Sequence, residues 1–260
     1  MFYLFFYVII FLFGLTIGSF LNCVIYRLAT EESFLEGRSY CPHCKHKLIW
    51  QDLIPLFSFI FLRGKCRYCQ KPISWQYPLV ELATGLLFLS IFNFQFSIFN
   101  LIIACFLIVI FIYDLKHYLI PDKVIYPAIA ISLIFNFLPH QIFGGGSNQF
   151  SIFIYSILSA FGAAAFFTFI VLISHEKWMG MGDVKLAFLM GLFLGFPNIL
   201  VALFLAFFIG ATVGLILITL GKKTLKSEIP FGPFLVSGTF LALFFGQKLI
   251  DAYLNLFLPR

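Results

Sequence analysis

Two aspartates, Asp114 and Asp183, occur where a mostly apolar chain would be expected to avoid charge. Asp114 ends the apolar run NLIIACFLIVIFIYD, and Asp183 opens the run GMGDVKLAFLMGLFLG. A carboxylate at the centre of a bilayer costs roughly 2.5 to 3.5 kcal/mol on insertion scales, so such residues are retained mainly where function requires them. Two carboxyl groups that approach closely can share a proton, and one can then activate a water while the other supplies a proton. These residues are therefore the candidate catalytic pair.

An ordinary structural role is also open to both aspartates, because carboxylates cap helix ends at a membrane interface. A negative charge suits the N-terminus of a helix, where the pattern places Asp183, but it is disfavoured at a C-terminus, where Asp114 falls. The position of Asp114 thus favours a functional role. Gly180 and Gly182 permit a close backbone approach just before Asp183, which leaves room for an extended substrate.

A second group of reactive residues consists of two C-x2-C pairs, CPHC and CRYC, separated by 21 residues. Each pair can place two thiolates on one turn, and two facing turns give a tetrahedral four-sulfur site suited to zinc. A pair of disulfides is the alternative, and a cytoplasmic location, which keeps thiols reduced, favours zinc over it. The predicted ligands are Cys41, Cys44, Cys66 and Cys69.

The stretch from about Leu28 to Gln76, which carries these cysteines, is the one sizeable polar part of the sequence. It is too short to build an ordinary hydrophobic core. Structural zinc contributes roughly 10 to 16 kcal/mol of apparent binding free energy in small peptides, enough to fold such a loop. His43 and His46 could replace a thiolate ligand, but because four cysteines already complete the shell, we expect both to be solvated neighbours.

Membrane helices are the elements that must position these residues. The 260 residues are 62% hydrophobic and 11% charged, with a mean hydropathy of +1.02, and soluble domains do not have this composition. Judged against the roughly 20 residues that cross a bilayer, the apolar segments predict an all-α polytopic fold with about eight transmembrane helices. The segments cover residues 2–26, 77–94, 98–113, 121–138, 150–174, 184–196, 199–220 and 234–256.

The basic residues predict how these segments are oriented, since cytoplasmic loops carry an excess of Lys and Arg. Along eight spans, all of the 17 Lys and Arg except Lys248 and Arg260 fall on one side. The N-terminus is therefore predicted outside, with the cysteine loop and both aspartates at the cytoplasmic boundary. Residues 184–196 are short for a complete span, yet without that span the KKTLK stretch would lie outside. The net charge of +6 is then a topology signal that anionic lipid satisfies, and it implies no nucleic acid.

Further motifs follow one another in order along the chain. They are GSFLNCVIYR at 18–27, the cysteine pairs with IPL at 54–56 and RGKC at 63–66, YPLVEL at 77–82, Asp114 with IPD at 120–122, GMGDVK at 180–185 and PFGP at 230–233. In this order they resemble the type IV prepilin leader peptidases over nearly the whole chain. A GxGD sequence alone would be weak evidence, whereas ordered motifs in a polytopic chain are specific.

This resemblance implies a bifunctional enzyme of the bacterial inner membrane. As a GxGD aspartyl protease it would remove the basic leader of prepilins and pilin-like (pseudopilin) subunits, and it would then methylate the new amino group with S-adenosylmethionine. By motif position, Asp114 and Asp183 are the catalytic pair and the four cysteines bind zinc. The family places methyl-transfer determinants in the cytoplasmic loop, which points to Gly64 and Lys65, although Gly64 can equally provide only a turn.

The resemblance also implies partners and a division of the chain. The expected partners are prepilin and pseudopilin substrates, membrane lipid, and the machinery that assembles pili or type II secretion systems. The expected domains are a first transmembrane helix over residues 1–27, a zinc-binding domain over 28–76 and a membrane-embedded peptidase domain over 77–260.

Two other classes of function stay open. Intramembrane aspartates with a cysteine loop could relay ions in a proton- or metal-coupled transporter, and a noncatalytic assembly factor could hold pilins through the zinc loop. The boundary positions of the aspartates favour the protease over the transporter. Among the other acidic residues, Asp122 suits the first turn of a helix, whereas Glu81 could meet either a basic leader residue or a neighbouring helix.

Overall fold

The structure is a computed structural model that describes residues 2–33, 37–95, 97–137, 149–176, 179–224 and 227–257. Within these ranges the chain is all-α and contains no β-strand beyond two isolated bridges. Of the basic residues that predict the orientation, Lys177, Lys226 and Arg260 lie outside the described residues.

The described ranges contain nine α-helices and one short 3-10 helix, η1 (Trp50–Leu53). The α-helices are α1 (Phe2–Ala29), α2 (Phe57–Phe61), α3 (Gln76–Gln95), α4 (Ile98–His117), α5 (Asp122–Phe137), α6 (Gln149–Ser174), α7 (Met181–Leu194), α8 (Asn198–Thr219) and α9 (Gly232–Phe257).

Six of the helices in the described ranges, α1, α3, α4, α6, α8 and α9, are long and apolar enough to cross a membrane. The chain is therefore a multi-pass membrane protein, and the predicted all-α polytopic fold is confirmed. Helix α5 has 16 residues and α7 has 14, which is less than the length that crosses a bilayer. The total of eight complete spans thus stays a prediction.

The chain forms two compact units, Met1–Val109 and Ile110–Arg260, and the boundary between them falls within α4. This boundary does not coincide with the predicted domain limits at residues 27 and 76, and that division stays a prediction.

In the first unit, α1 and α3 pack as an antiparallel pair in close contact. A Cβ added at Gly14 would lie 2.8 Å from the Cα of Gly85, and one added at Gly18 would lie 2.7 Å from the Cα of Glu81. Small residues at such positions let two membrane helices approach closely. The amide of Asn22 donates to the carbonyl of Tyr77 at 3.1 Å and fixes the register at the loop end of the pair.

In the second unit, α7 is the central helix and packs against α5, α6, α8 and α9. Its apolar residues do not lie on one face, as expected for a helix surrounded by other helices. Buried positions on it include Leu186, Leu189, Met190 and Leu192. The side chain of Asn136 on α5 also donates to the carbonyl of Leu192 at 3.0 Å. Because neighbours enclose α7, its first turn, which contains Asp183, has a fixed position.

Candidate active site and metal centre

Asp114 and Asp183 come from the two helix ends that the sequence predicts for them. Asp114 lies in the last turn of α4, and Asp183 is the third residue of α7. Only 5% of Asp114 and 9% of Asp183 is exposed, and the two carboxyl groups interact electrostatically. In the described part of the chain neither carboxyl group has a cationic partner in an ion pair. Two buried carboxyl groups in range of each other can supply one acid and one base.

Gly232, the first residue of α9, lies directly against the Asp114 carboxyl group. Its backbone N–H interacts with that carboxyl group, and the N–H groups at a helix start have no partner within the helix. A Cβ added at Gly232 would lie 2.5 Å from Oδ2 of Asp114. Sequence reasoning assigned no role to Gly232. The PFGP motif contains it, but only the folded chain reveals its partner.

The first turn of α7 is held against the segment that follows Asp114 along the chain. Nζ of Lys185 lies 2.6 Å from Oδ1 of Asp122 and 4.9 Å from the ring centroid of Tyr126. A Cβ at Gly182 would lie 3.1 Å from the Cβ of Ile120, so this glycine allows the two segments to pack closely. Asp122 is the first residue of α5, as the sequence predicts. Its pairing with Lys185 joins the IPD and GMGDVK motifs.

The two cysteine pairs form matching turns in the first unit. The N–H of Cys41 donates to the carbonyl of His46 at 3.0 Å, and the N–H of Cys66 donates to the carbonyl of Lys71 at 2.9 Å. In each turn, the residue before the first cysteine forms an isolated β-bridge with the third residue after the second cysteine. These bridges join Tyr40 to Lys47 and Lys65 to Pro72. The structure thus reveals an internal repeat.

All four sulfur atoms lie within 4.8 Å of one another, and none forms a disulfide. Sγ of Cys41 is 3.9 Å from Sγ of Cys69. Tetrahedral zinc with Zn–S bonds of about 2.3 Å separates its sulfur ligands by about 3.8 Å. The cluster can therefore hold a metal ion of this type. The ring of His46 lies against that of Tyr68, with centroids 3.6 Å apart and the ring planes tilted by 34°, so this histidine packs on a neighbour beside the cluster.

The thiols of the cluster differ in acidity. Burial disfavours the Cys41 thiolate, but backbone N–H groups of Cys44 and His43 outweigh this effect and lower the pKa of Cys41 to about 7. At Cys69 the backbone N–H of Lys71 favours the thiolate, whereas burial and hydrogen bonds with the neighbouring thiols raise the pKa to about 11. Because metal ligands must be deprotonated, a bound metal would release protons from the cluster.

The comparison with known proteins covers both units. Residues 12–95 match the bacterial peptidase A24 N-terminal domain, and residues 101–215 match the type IV leader peptidase family. A prepilin leader peptidase/N-methyltransferase of Aeromonas hydrophila is 34% identical over 96% of this chain and 94% of that protein. A protein of the same name from Bacillus subtilis is 32% identical over 95% of this chain and 98% of that protein. The chain belongs to the type IV leader peptidase family. No solved structure matches it significantly.

The structure gives this family member a turn at Gly64. Gly64 has a φ of +69°, its N–H donates to the carbonyl of Phe59 at 2.9 Å, and its carbonyl accepts from the N–H of Ile73 at 2.7 Å. This left-handed conformation is one that glycine adopts readily. The turn is therefore sufficient to explain the glycine, and the role of Gly64 and Lys65 in methyl transfer stays a prediction.

Glu81 on α3 contacts the polar loop. Its Oε2 accepts the backbone N–H of Leu56 at 2.8 Å, and the side chain of Ser19 on α1 also bonds to it. One of the two expected partners, a neighbouring helix, is therefore present. The contact with Leu56 is one that sequence reasoning missed, because any backbone N–H can serve as the donor.

Proposed function

We propose that this chain is a prepilin leader peptidase and N-methyltransferase that works at the cytoplasmic boundary of the bacterial inner membrane. It hydrolyses the peptide bond after the basic leader of prepilins and pilin-like subunits, and it then methylates the new N-terminal residue. The names of relatives that align over almost the whole chain support both activities. The buried pair of Asp114 and Asp183 within one unit is the observation that carries the peptidase half.

In the peptidase reaction the two aspartates act as a general base and a general acid. The charged carboxylate removes a proton from a water molecule, whose oxygen attacks the scissile carbonyl carbon. The protonated carboxyl group then donates its proton to the departing nitrogen as the C–N bond breaks. No covalent intermediate is needed. The backbone N–H groups of Gly232 and Gly180 contact Asp114 and Asp183, respectively, and hold them in place.

The four cysteines bind a structural Zn²⁺ ion in this proposal. The distances between their sulfur atoms fit tetrahedral coordination, and the loop has little apolar core of its own. Zinc would tie the turn at Cys41–Cys44 to the turn at Cys66–Cys69 and so stabilise the loop. It takes no part in peptide hydrolysis.

Methyl transfer follows cleavage because hydrolysis creates the amine that accepts the methyl group. A free α-amine has a pKa of roughly 7.7 to 8, so a useful fraction is neutral and nucleophilic near neutral pH. S-adenosylmethionine supplies the methyl group when bound: an N–C bond forms, the S–C bond breaks, and the amine loses a proton. Gly64 and Lys65 are the residues proposed for this step, on the basis of motif position.

The orientation and partners complete the proposal. The N-terminus lies outside and the cysteine loop lies in the cytoplasm, because the basic residues concentrate on the loop side. The substrate's apolar helix lies in the membrane with its leader in the cytoplasm, and the products enter pilus or type II secretion assembly. No observation favours an ion- or metal-coupled transporter.

The test uses purified full-length protein, a prepilin substrate and mass spectrometry of the product. Asp114→Asn and Asp183→Asn should each abolish loss of the leader while the zinc content stays unchanged. Asp251→Asn, the same change at an exposed position on α9, is the matched control and should retain activity. Cleavage at the normal rate in either catalytic variant would overturn the assignment. A gain of one methyl group on the processed product reports the second activity separately.

A further inference from the structure

Helix α2 presents an apolar patch on the loop that carries the cysteines. Phe57, Ile60 and Phe61 share one side of this short helix by their spacing, and they are 53%, 66% and 81% exposed. We call these three residues the α2 patch. Trp75, just before α3, is 71% exposed. Apolar side chains grouped in this way on a protein surface mark a contact with another apolar surface.

Contacts within the first unit place α2 at the level where α3 enters the membrane. The N–H of Leu56, which directly precedes α2, donates to the Glu81 carboxylate at 2.8 Å. Glu81 lies about 7.5 Å along α3 from Gln76 at 1.5 Å per residue, and side chains of a helix point back toward its N-terminus. Leu56 is therefore level with the first turns of α3, whose Gln76–Phe94 segment is long and apolar enough to span the membrane.

A second contact and the backbone hold α2 in this position. The rings of Phe59 and Trp75 pack with centroids 5.0 Å apart, which joins α2 to the residue before α3. Leu56 has a φ of +61°, a region that bulky side chains rarely adopt. Such a conformation persists only where surrounding contacts enforce it, and the bond to Glu81 is one such contact.

The charge beside the patch indicates which surface covers it. A recess of about 610 Å³ lies between α2 and the start of α3. Its lining includes the apolar side chains of Ile60 and Trp75 and the cationic side chains of Arg63 and Lys65, and none of its lining residues is acidic. Tryptophan with lysine and arginine is the combination found at the headgroup level of membranes, where anionic lipids attract the cations.

We propose that the α2 patch and Trp75 lie in the interface of the membrane leaflet on the loop side, with Arg63 against anionic lipid headgroups. Helix α2 is thus an interfacial anchor that holds the metal-binding loop at the bilayer surface. This explains why a loop too small for its own core keeps large apolar side chains exposed. The anchor follows from the membrane fold and does not depend on the proposed reaction.

The test places the full-length protein in nanodiscs of phosphatidylcholine and phosphatidylglycerol, with Trp75 as the only tryptophan after Trp50→Phe and Trp178→Phe. Lipids brominated near the headgroup should quench Trp75 emission more strongly than lipids brominated deep in the chain, and aqueous iodide should quench it little. Phe61→Ser combined with Ile60→Ser should reduce quenching by lipid and increase quenching by iodide, with metal content unchanged.

The headgroup preference has its own matched pair of variants. With brominated phosphatidylglycerol, Arg63→Gln should lower the preference over brominated phosphatidylcholine by up to about fivefold, the effect of one basic residue at an anionic surface. Arg38→Gln, the same change at an exposed loop position that does not line the recess, should leave the preference unchanged. Quenching of Trp75 by iodide but not by either lipid would overturn the anchor. Protection from both quenchers would also overturn it, because a protein surface would then cover the patch.

Discussion

Substitution of Gly232 by alanine would insert a methyl group into the space beside the Asp114 carboxyl group. The added Cβ would lie 2.5 Å from Oδ2 and 3.1 Å from Cγ of Asp114. Close nonbonded contacts between carbon and oxygen are roughly 3.3 Å or longer, so the carboxyl group must move by about 0.8 Å or rotate away. Gly232 does not have a positive φ, so alanine can adopt the same backbone conformation without strain. The variant should therefore fold.

The expected size of the effect follows from this displacement. A misplacement of about 1 Å at a catalytic group can lower a rate about 100-fold. That loss corresponds to about 2.7 kcal/mol of transition-state stabilisation. Because the change displaces the carboxyl group proposed to act in the chemical step, we expect it mainly in kcat rather than in KM.

The assay is steady-state cleavage of a prepilin by purified enzyme in nanodiscs, followed by mass spectrometry. Gly214→Ala on α8 and Gly162→Ala on α6 are the matched controls, because a Cβ at either position meets no atom within 4 Å. Both controls should keep the kcat of the unsubstituted enzyme. Unchanged zinc content and helical circular dichroism would show that Gly232→Ala acts at the aspartates and not through folding.

Two outcomes would refute this reasoning. If Gly232→Ala is folded and cleaves at the normal rate, Asp114 does not act in the position that the structure gives it. If all three glycine variants lose the same fraction of activity, the effect belongs to glycine in membrane helices generally. Only a selective loss in Gly232→Ala supports a catalytic carboxyl group beside the start of α9.

Two further predictions concern the contacts around the sites. In a double-mutant cycle on kcat/KM, Asp122→Asn and Lys185→Gln should show a coupling energy of about 0.2 to 1 kcal/mol, because this ion pair is partly exposed. Complete additivity of the two substitutions would show that the pair does not position α7. Cys69→Ser should lower the bound zinc and make the loop more sensitive to protease, whereas Cys105→Ser on α4 should change neither. Stoichiometric zinc in Cys69→Ser would contradict coordination by four sulfur atoms.

The fold class could be predicted because the bilayer imposes a simple rule on the sequence. Long apolar runs must become helices that satisfy their own backbone groups, and the runs at 77–94 and 199–220 became α3 and α8. The short run at 184–196 became part of α7, which begins earlier, at Met181. Whether this run spans the membrane was harder to predict, because a helix enclosed by other helices is apolar on all sides, as a membrane-spanning helix is.

The sequence predicts which residues form the candidate site, but it does not predict their contacts. Asp114 and Asp183 stand out because charge is unfavourable where they lie, and that signal is local in sequence. Gly232 beside Asp114 and Leu56 beside Glu81 leave no such signal, since a backbone N–H is available at almost every residue. Which N–H meets a carboxylate depends on how helices distant in sequence pack together.

The surroundings of the two aspartates suit the proposed acid–base reaction, in which each carboxyl group is charged in one step and neutral in another. Each carboxyl group meets the backbone N–H of a glycine, Gly232 or Gly180, which supplies a partial positive charge. A lysine at either carboxyl group would instead favour its charged form and remove the acid from the pair. Lys185 is only two residues from Asp183, but such side chains do not face each other on a helix, and its ammonium group is bound by Asp122. The Asp122–Lys185 pair thus keeps the nearest cation of that helix away from Asp183.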